Sequence, residues 1–150
     1  MSPNKWGPRV WCFLHTLAEK IKDEHFNIEG REMITFIIRI CKVLPCPECS
    51  QHASQFWGNV NVNGIRHRED LMNLIHIFHN IVNKRKNKEV FKKEQLSVYK
   101  HINLINAYNN FVAVYHTKGN MKLLGETFQR QMVLGQLKKW IQQNHHCFTK

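Results

Sequence analysis

The sequence predicts an all-α protein built on an antiparallel four-helix bundle. Apolar residues recur at spacings of three and four along most of the 150 residues, which is the period of helices that bury one face. No run of any length shows the alternation of a β-strand, and the sequence contains no internal repeat. Short connections join the first four helical segments, as they do in antiparallel bundles.

Local signals delimit the helical segments. Pro45 ends the second segment because proline lacks the N–H that a helix interior needs. Three asparagines within residues 58–64 predict a loop, and Gly119-Asn120 separates the last helix from the one before it. We expect helices from residue 8 onward, over 29–44, 46–57 and 68–87, a turn over 94–100 followed by a helix to 115, and a last helix over 121–144.

The composition predicts a soluble intracellular protein. Hydrophobic residues make up 43% of the chain, and 7 glycines with 4 prolines leave little room for linkers. No apolar run approaches the length of a membrane span, and the first residues lack the apolar core of a signal peptide. The 5 cysteines are an odd number without regular spacing, which indicates chemical roles rather than a secreted disulfide scaffold.

The chain is strongly basic. It has 22 Lys and Arg against 11 Asp and Glu, a formal net charge of +11. Such a charge attracts polyanions, whether nucleic acid, an anionic membrane or a phosphate-bearing cofactor. The placement of the charges has to decide among these three.

The most informative motif is Cys46-Pro47-Glu48-Cys49. Two cysteines three positions apart at the start of a helix lie close enough to form a disulfide. The closed loop is too short to constrain the unfolded chain much, so a purely structural role is weakly motivated. The positive end of the helix dipole lowers a thiol pKa and favours the reactive thiolate. The motif therefore predicts a redox-active dithiol.

Two alternatives stay open at this point. Cys46, Cys49 and His52 could be three zinc ligands, in which case a fourth would come from Cys41, Cys147, His145 or His146. A basic helical protein could also bind nucleic acid. Neither alternative accounts for the two polar clusters that follow.

Two further clusters suit the recognition of a heterocyclic, phosphate-bearing ligand. Trp11 and His15 lie four positions apart on one helix face, after Gly7-Pro8, which permits a close backbone approach. A polar stripe on the fourth helix ends in four cations, Lys84, Arg85, Lys86 and Lys88. The stripe consists of His76, His79, Asn80, Asn83 and Asn87, and amide and imidazole groups hydrogen-bond ribose, heterocycles and phosphate.

Three motifs together resemble the Erv/Alr flavin-linked sulfhydryl oxidases. They are Trp6-Gly7-Pro8 with Trp11 and Leu14-His15, then residues 44–49, then His79-Asn80 with Val82-Asn83 and Lys88. The matched region covers about two-thirds of the chain, from Lys5 to Tyr99. The compact form most resembles versions from large cytoplasmic DNA viruses.

The resemblance implies a four-helix bundle with a short fifth helix around FAD, usually as a homodimer. Residues 1–100 would be the oxidase domain, and 101–150 a helical extension packed on the domain or on the dimer interface, with an apolar stripe of Leu124, Phe128, Leu134, Leu137 and Ile141. Cys46 would be the cysteine that incoming thiols attack and Cys49 the flavin-proximal one. The implied cofactor contacts are Gly7, Trp11, His15, Cys49, His52, His79, Asn80, Val82, Asn83, Lys86, Lys88 and Tyr99, with no metal ligand.

The implied reaction oxidises protein dithiols and passes their electrons through the Cys46–Cys49 pair and FAD to O2, forming H2O2. The implied partner is a dithiol protein, for example a thioredoxin-like viral protein, in the host cytoplasm or the virion, and neither a membrane nor nucleic acid. Some family features are missing from this chain. A second, structural disulfide is absent, its positions being His76 and Lys93, and Lys86-Asn87 replaces the Leu-Gly that precedes the lysine. Cys147 is the only tail thiol, and one thiol cannot carry the electrons of a dithiol.

Overall fold

The computed structural model describes residues 2–116 and 124–150. Within these ranges the protein is helical, with one isolated antiparallel bridge between Ile21 and Phe148, so the all-α prediction is confirmed. The α-helices are α1 (Pro3–Lys20), α2 (Asp23–Lys42), α3 (Pro47–Gly58), α4 (Arg68–Arg85), α5 (Leu104–Tyr115) and α6 (Leu124–Asn144). Short 3₁₀ helices lie at Val62–Gly64, Lys93–His101 and His145–Cys147.

The first two helices begin earlier than the apolar pattern predicts. α1 begins at Pro3, whose fixed φ suits the first helical position, and contains Pro8 in its second turn. α2 begins at Asp23. Its first turn is mostly polar, so the apolar pattern does not reveal it, but the acidic residues in this turn complement the helix dipole. The predicted break at Gly119-Asn120 and the predicted helix start at residue 121 lie outside the described residues.

α1 and α2 are at the centre of the packing. α4, α5 and the 3₁₀ helix Lys93–His101 pack on α1, whereas α3 and α6 pack on α2. The core continues beyond residue 100, since Phe13 of α1 stacks on Phe111 of α5 with ring centroids 4.6 Å apart. In α6, Leu134, Leu137 and Ile141 are buried, whereas Phe128 of the same predicted stripe is 62% exposed. The Leu124 side chain of that stripe lies outside the described part of the structure.

α6 reaches the segment that leads into the cysteine pair. Arg130 is 2% exposed, and its Nη1 donates to the carbonyl oxygens of Val43 and Leu44 at 3.4 Å each. These carbonyls lie at the C-terminal end of α2, where a cation complements the helix dipole. The C-terminal helix therefore helps to fix the backbone immediately before Cys46.

Asn87 has a structural role that the sequence alone did not indicate. It is the only non-glycine residue of the described chain with positive φ, at 58°. The N–H groups of Asn87 and Lys88 donate to the carbonyls of Lys84 and Asn83, at 3.2 and 2.8 Å. These two bonds form a Schellman motif that ends α4. Asn87 therefore occupies a left-handed position, a conformation that asparagine and glycine both tolerate.

Substitutions at Asn87 should follow its backbone conformation. We expect Asn87→Gly to leave the free energy of unfolding unchanged or slightly higher, because glycine adopts positive φ without strain. Asn87→Val should lower it by about 1–2 kcal/mol, because the left-handed region is costly for a β-branched residue. Urea unfolding of both variants measures the difference, and equal stability of the two would contradict this assignment.

Candidate active site

The cysteine pair lies at the N-terminus of α3, as predicted. Cys46 is the N-cap residue, Pro47 takes the first helical position, and the backbone N–H of Cys49 donates to Cys46 Sγ at 3.3 Å. The two cysteines form a disulfide with their Cα atoms 5.2 Å apart. Ser50 holds the preceding segment, since the Leu44 N–H donates to Ser50 Oγ at 2.8 Å. This hydrogen bond and the contacts of Arg130 both fix the segment immediately before the dithiol.

Cys49, but not Cys46, forms part of the wall of a cleft between α1, α3 and α4. The rest of the wall is mostly aromatic and aliphatic, with Gly7 at its edge and His52 one turn after Cys49. The lining residues are Trp6, Gly7, Val10, Trp11, Leu14, Leu44, Cys49, His52, Phe78, Val82, Arg85 and Lys86. A flat apolar ligand in this cleft would contact the disulfide on its Cys49 side.

A second, more polar cleft continues from the first. Gly7, Trp11, Val82 and Lys86 line both clefts. Its other lining residues are Pro3, Pro8, His79, Asn83, Lys88 and Tyr99. Lys86 and Lys88 both line this cleft, and partial burial, with a smaller contribution from repulsion by Lys88, lowers the pKa of Lys86. An anion between them would relieve this repulsion, which suits a phosphate-bearing ligand.

Aromatic rings from α1, α4 and the 3₁₀ helix Lys93–His101 are stacked behind the second cleft. Trp11 stacks on His79, with centroids 4.1 Å apart and an interplanar angle of 7°. His15 does not line either cleft but supports this stack. Its Nε2 lies 2.9 Å from His79 Nδ1, and its ring stacks on Tyr99 at 4.7 Å.

Both histidines of this stack are uncharged at neutral pH. Burial lowers the pKa of His15 from 6.5 to about 3, with smaller contributions from His79 and His76. Burial also lowers the pKa of His79 from 6.5 to about 4, and the charges of His76 and Lys88 act in the same direction. One ring can therefore donate the hydrogen bond that the other accepts, because neutral imidazole has one nitrogen of each kind.

These shifts predict acid lability in a defined window. Below pH 6.5 the unfolded chain protonates both histidines while the folded chain does not, so the free energy of unfolding should fall as the pH decreases from 6.5 towards about 4. Melting temperatures measured across this range should fall less steeply for His79→Gln than for the wild type. His145→Gln, which changes an exposed histidine in the tail and outside this stack, is the matched control. Identical slopes for all three proteins would contradict the assignment.

Ten of the predicted cofactor contacts line the two clefts, and two do not. The ten are Gly7, Trp11, Cys49, His52, His79, Val82, Asn83, Lys86, Lys88 and Tyr99. The exceptions are His15, described above, and Asn80. Sequence reasoning missed the apolar wall of the first cleft and also Arg85, which it placed only in the cationic cluster. Trp6, Leu14 and Leu44 belong to the motifs that carry the resemblance but were not predicted as cofactor contacts. Val10 and Phe78 are buried like them and have the spacing of core residues, so no signal in the sequence distinguished these two from core.

Asn80 holds the chain that follows α4. Its Nδ2 donates to the Phe91 carbonyl at 3.0 Å, and its Oδ1 accepts from the Phe91 N–H at 2.8 Å. His76 Nε2 lies 2.6 Å from the same carbonyl. Phe91 in turn stacks on His79, with centroids 4.9 Å apart. These hydrogen bonds tie the loop to α4.

The clefts have the features of a binding site for a large planar ligand. The indole Nε1 of Trp6 is buried and has no hydrogen-bond acceptor among the described residues. A ligand in the first cleft, whose wall includes Trp6, could supply this acceptor. A Cβ atom built on Gly7 would meet nothing within 4 Å, so at this position glycine keeps the space between the two clefts clear. Together with the cations, these features fit a flavin on the Cys49 side and a pyrophosphate on the Lys86 side.

Comparison with known proteins identifies the family. The model of the Erv1 / Alr family matches residues 8–103, which include the cysteine pair and most of the residues that line both clefts. This chain belongs to the Erv1/Alr family. The resemblance inferred from three motifs is therefore confirmed over more than half of the chain.

The relatives of this Erv1/Alr protein include viral and plant oxidases. It is 36% identical over 90 residues to a putative FAD-linked sulfhydryl oxidase of Invertebrate iridescent virus 3, covering 59% of this chain and 60% of that protein. It is 35% identical over 97 residues to the FAD-linked sulfhydryl oxidase of African swine fever virus (isolate Pig/Kenya/KEN-50/1950), covering 65% and 78%. A rice FAD-linked sulfhydryl oxidase is 26% identical over 91 residues, covering 61% and 46%. No solved structure matches this chain significantly.

Proposed function

We propose that this protein is an FAD-dependent thiol oxidase that transfers electrons from protein dithiols through Cys46 and Cys49 to O2. One observation carries the proposal: the Cys46–Cys49 disulfide opens α3, and only Cys49 of the pair lines the apolar cleft. The family and its sulfhydryl oxidase relatives support the same activity. They do not favour a zinc-stabilised or nucleic-acid-binding module.

Cys46 is the cysteine that the substrate attacks. A substrate thiolate forms a bond to Cys46 Sγ and breaks the Cys46–Cys49 bond, which releases Cys49 as thiolate at the cleft wall. The second substrate thiol then displaces Cys46, and the substrate leaves as a disulfide. The backbone N–H of Cys49 donates to Cys46 Sγ at 3.3 Å, so it stabilises the departing Cys46 thiolate, and a stabilised thiolate leaves faster.

The two joined clefts are the FAD site. The apolar cleft beside Cys49 would hold the isoalloxazine ring, and Lys86 and Lys88 in the second cleft would bind the phosphates. When bound, FAD would accept the electron pair of the dithiol and pass it to O2, which forms H2O2. The overall balance is one dithiol and one O2 consumed for one disulfide and one H2O2 formed.

We also propose a domain organisation, an oligomeric state and a partner for this chain. Residues 1–100 form the oxidase domain and residues 101–150 form an extension whose helices α5 and α6 pack on α1 and α2. We expect a homodimer that acts on a dithiol protein, for example a thioredoxin-like viral partner, in the host cytoplasm or the virion. Among the described residues, none of the helices has the length and apolar composition of a membrane span.

The visible absorption spectrum, combined with the stoichiometry of the reaction, tests the proposed function. The purified protein should be yellow and should release about one flavin per chain on denaturation, since the cofactor is held without a covalent bond. With a small dithiol it should consume O2 and form H2O2 in equal amounts. A colourless protein, or one with stoichiometric zinc on Cys46 and Cys49, would refute the proposal.

A further inference from the structure

The C-terminal tail is fixed against the junction of α1 and α2. The N–H of Lys22 donates to the Cys147 carbonyl at 2.8 Å, and the N–H of Thr149 donates to the Lys20 carbonyl at 2.7 Å. The buried Lys20 ammonium also donates to the Lys150 carbonyl at 2.7 Å. The backbone at Cys147 and after it is therefore held in one place.

This docking brings three metal-ligating side chains together. His25, in the first turn of α2, meets His146 and Cys147 of the tail, and their ligand atoms all lie within 4.8 Å of one another. The two imidazole rings lie edge to face, with centroids 5.4 Å apart. Cys147 is 1% exposed, whereas His146 faces solvent, so an ion can enter from the surface.

The distance between the two tail ligands matches tetrahedral zinc. With Zn–N of about 2.0–2.1 Å and Zn–S of about 2.3 Å, tetrahedral angles place nitrogen and sulfur about 3.6 Å apart. Cys147 Sγ lies 3.6 Å from His146 Nε2. The ligand atom of His25, on α2, lies within 4.8 Å of the other two, so it has to approach them by up to about 1–1.5 Å to reach tetrahedral spacing.

We propose that His25, His146 and Cys147 form a zinc site that clips the C-terminal tail to the start of α2. A site with two imidazoles and one thiolate binds zinc in preference to the other abundant divalent cations of the cell. Water would take the fourth position, as it does at other zinc sites with three protein ligands. Binding releases the thiol proton, so affinity rises with pH.

This site is separate from the cysteine pair of the proposed oxidase. His25 lies at the start of α2 and Cys46 follows its end, and the 20 residues of this helix span about 30 Å. The Cys46–Cys49 thiols are also unavailable to metal while they form the disulfide. The clip thus assigns Cys147 a role other than that of an electron shuttle.

Cobalt binding to the flavin-loaded protein, without reductant, tests the site. Tetrahedral Co2+ with a thiolate ligand absorbs in the red, where oxidised flavin does not. We expect about one Co2+ per chain, displaced by Zn2+, and a melting temperature that rises with Zn2+ concentration. His25→Gln and His146→Gln should each weaken binding by at least about tenfold, since even outer-shell changes cost 10–100-fold.

The neighbouring His145, which is exposed and outside the cluster, provides the matched control. His145→Gln should bind Co2+ as the wild type does, and all variants should keep their flavin. His146 is exposed, so its substitution tests the site even if Cys147→Ser fails to fold. No red absorption in the wild type would overturn the proposal, as would equal losses in His145→Gln and His146→Gln. The readout does not need flavin, so loss of the oxidase function and loss of the metal site are distinguishable.

Discussion

Cys49→Ser is expected to abolish dithiol-driven O2 consumption while the protein keeps its flavin. The rate should fall by at least about 10³-fold, the scale seen when one member of a catalytic group is removed. Without the Cys49 thiol no disulfide forms with Cys46, so no electron pair reaches the cleft wall. Serine differs from cysteine by one atom, so the first cleft should keep its shape.

Cys46→Ser should cause a loss of similar size by a different route. Cys49 would remain at the cleft wall, but the thiol that substrates attack would be missing. Cys41→Ala is the matched control, because Cys41 is buried in α2 and burial raises the pKa of its thiol to about 12, which leaves it unreactive. O2 consumption should persist in this control. Substantial turnover in Cys49→Ser would exclude the proposed electron path.

Gly7→Leu is expected to prevent flavin binding without unfolding the protein. Gly7 lines both clefts where they join, and a Cβ atom there meets nothing within 4 Å. A leucine side chain therefore fits the free protein and fills the space that we assign to FAD. The flavin content should fall by at least about tenfold, while helix propensity favours leucine over glycine by several tenths of a kcal/mol.

Gly135→Leu is the matched control for Gly7→Leu. Gly135 lies within α6, and a Cβ atom there also meets nothing within 4 Å. The substitution gives a helix the same gain in propensity but lies outside both clefts. Absorbance of released flavin and melting temperature measure the two effects separately. Full flavin content in Gly7→Leu would show that the joined clefts do not hold the cofactor.

The polar part of the candidate site could be predicted from the sequence because its residue types are unusual where they occur. Cysteines at a helix start and asparagines with histidines on one helix stripe are poorly suited to core packing or to a solvated face. These signals led to His79, Asn83 and Lys88, which line the second cleft. The positions of helix starts were less predictable, since polar first turns hide the apolar period of α1 and α2.

Roles set by tertiary contacts could not be predicted. Asn80 and Asn87 belong to the same polar stripe as Asn83, yet one holds Phe91 and the other ends α4 in a left-handed conformation. Likewise, Val10 and Phe78 line the first cleft but have the spacing of core residues. Whether an apolar side chain faces another helix or a ligand depends on the gap between helices, which local periodicity does not encode.

Anaerobic reduction of the bound flavin by a small dithiol tests the central claim most directly. The flavin absorption of the wild-type protein should bleach on mixing, and that of Cys46→Ser and Cys49→Ser should persist under the same conditions. Bleaching would then depend on both cysteines of the pair that opens α3. Equal bleaching in the wild type and both variants would contradict the claim, because electrons would be reaching the flavin without the Cys46–Cys49 dithiol.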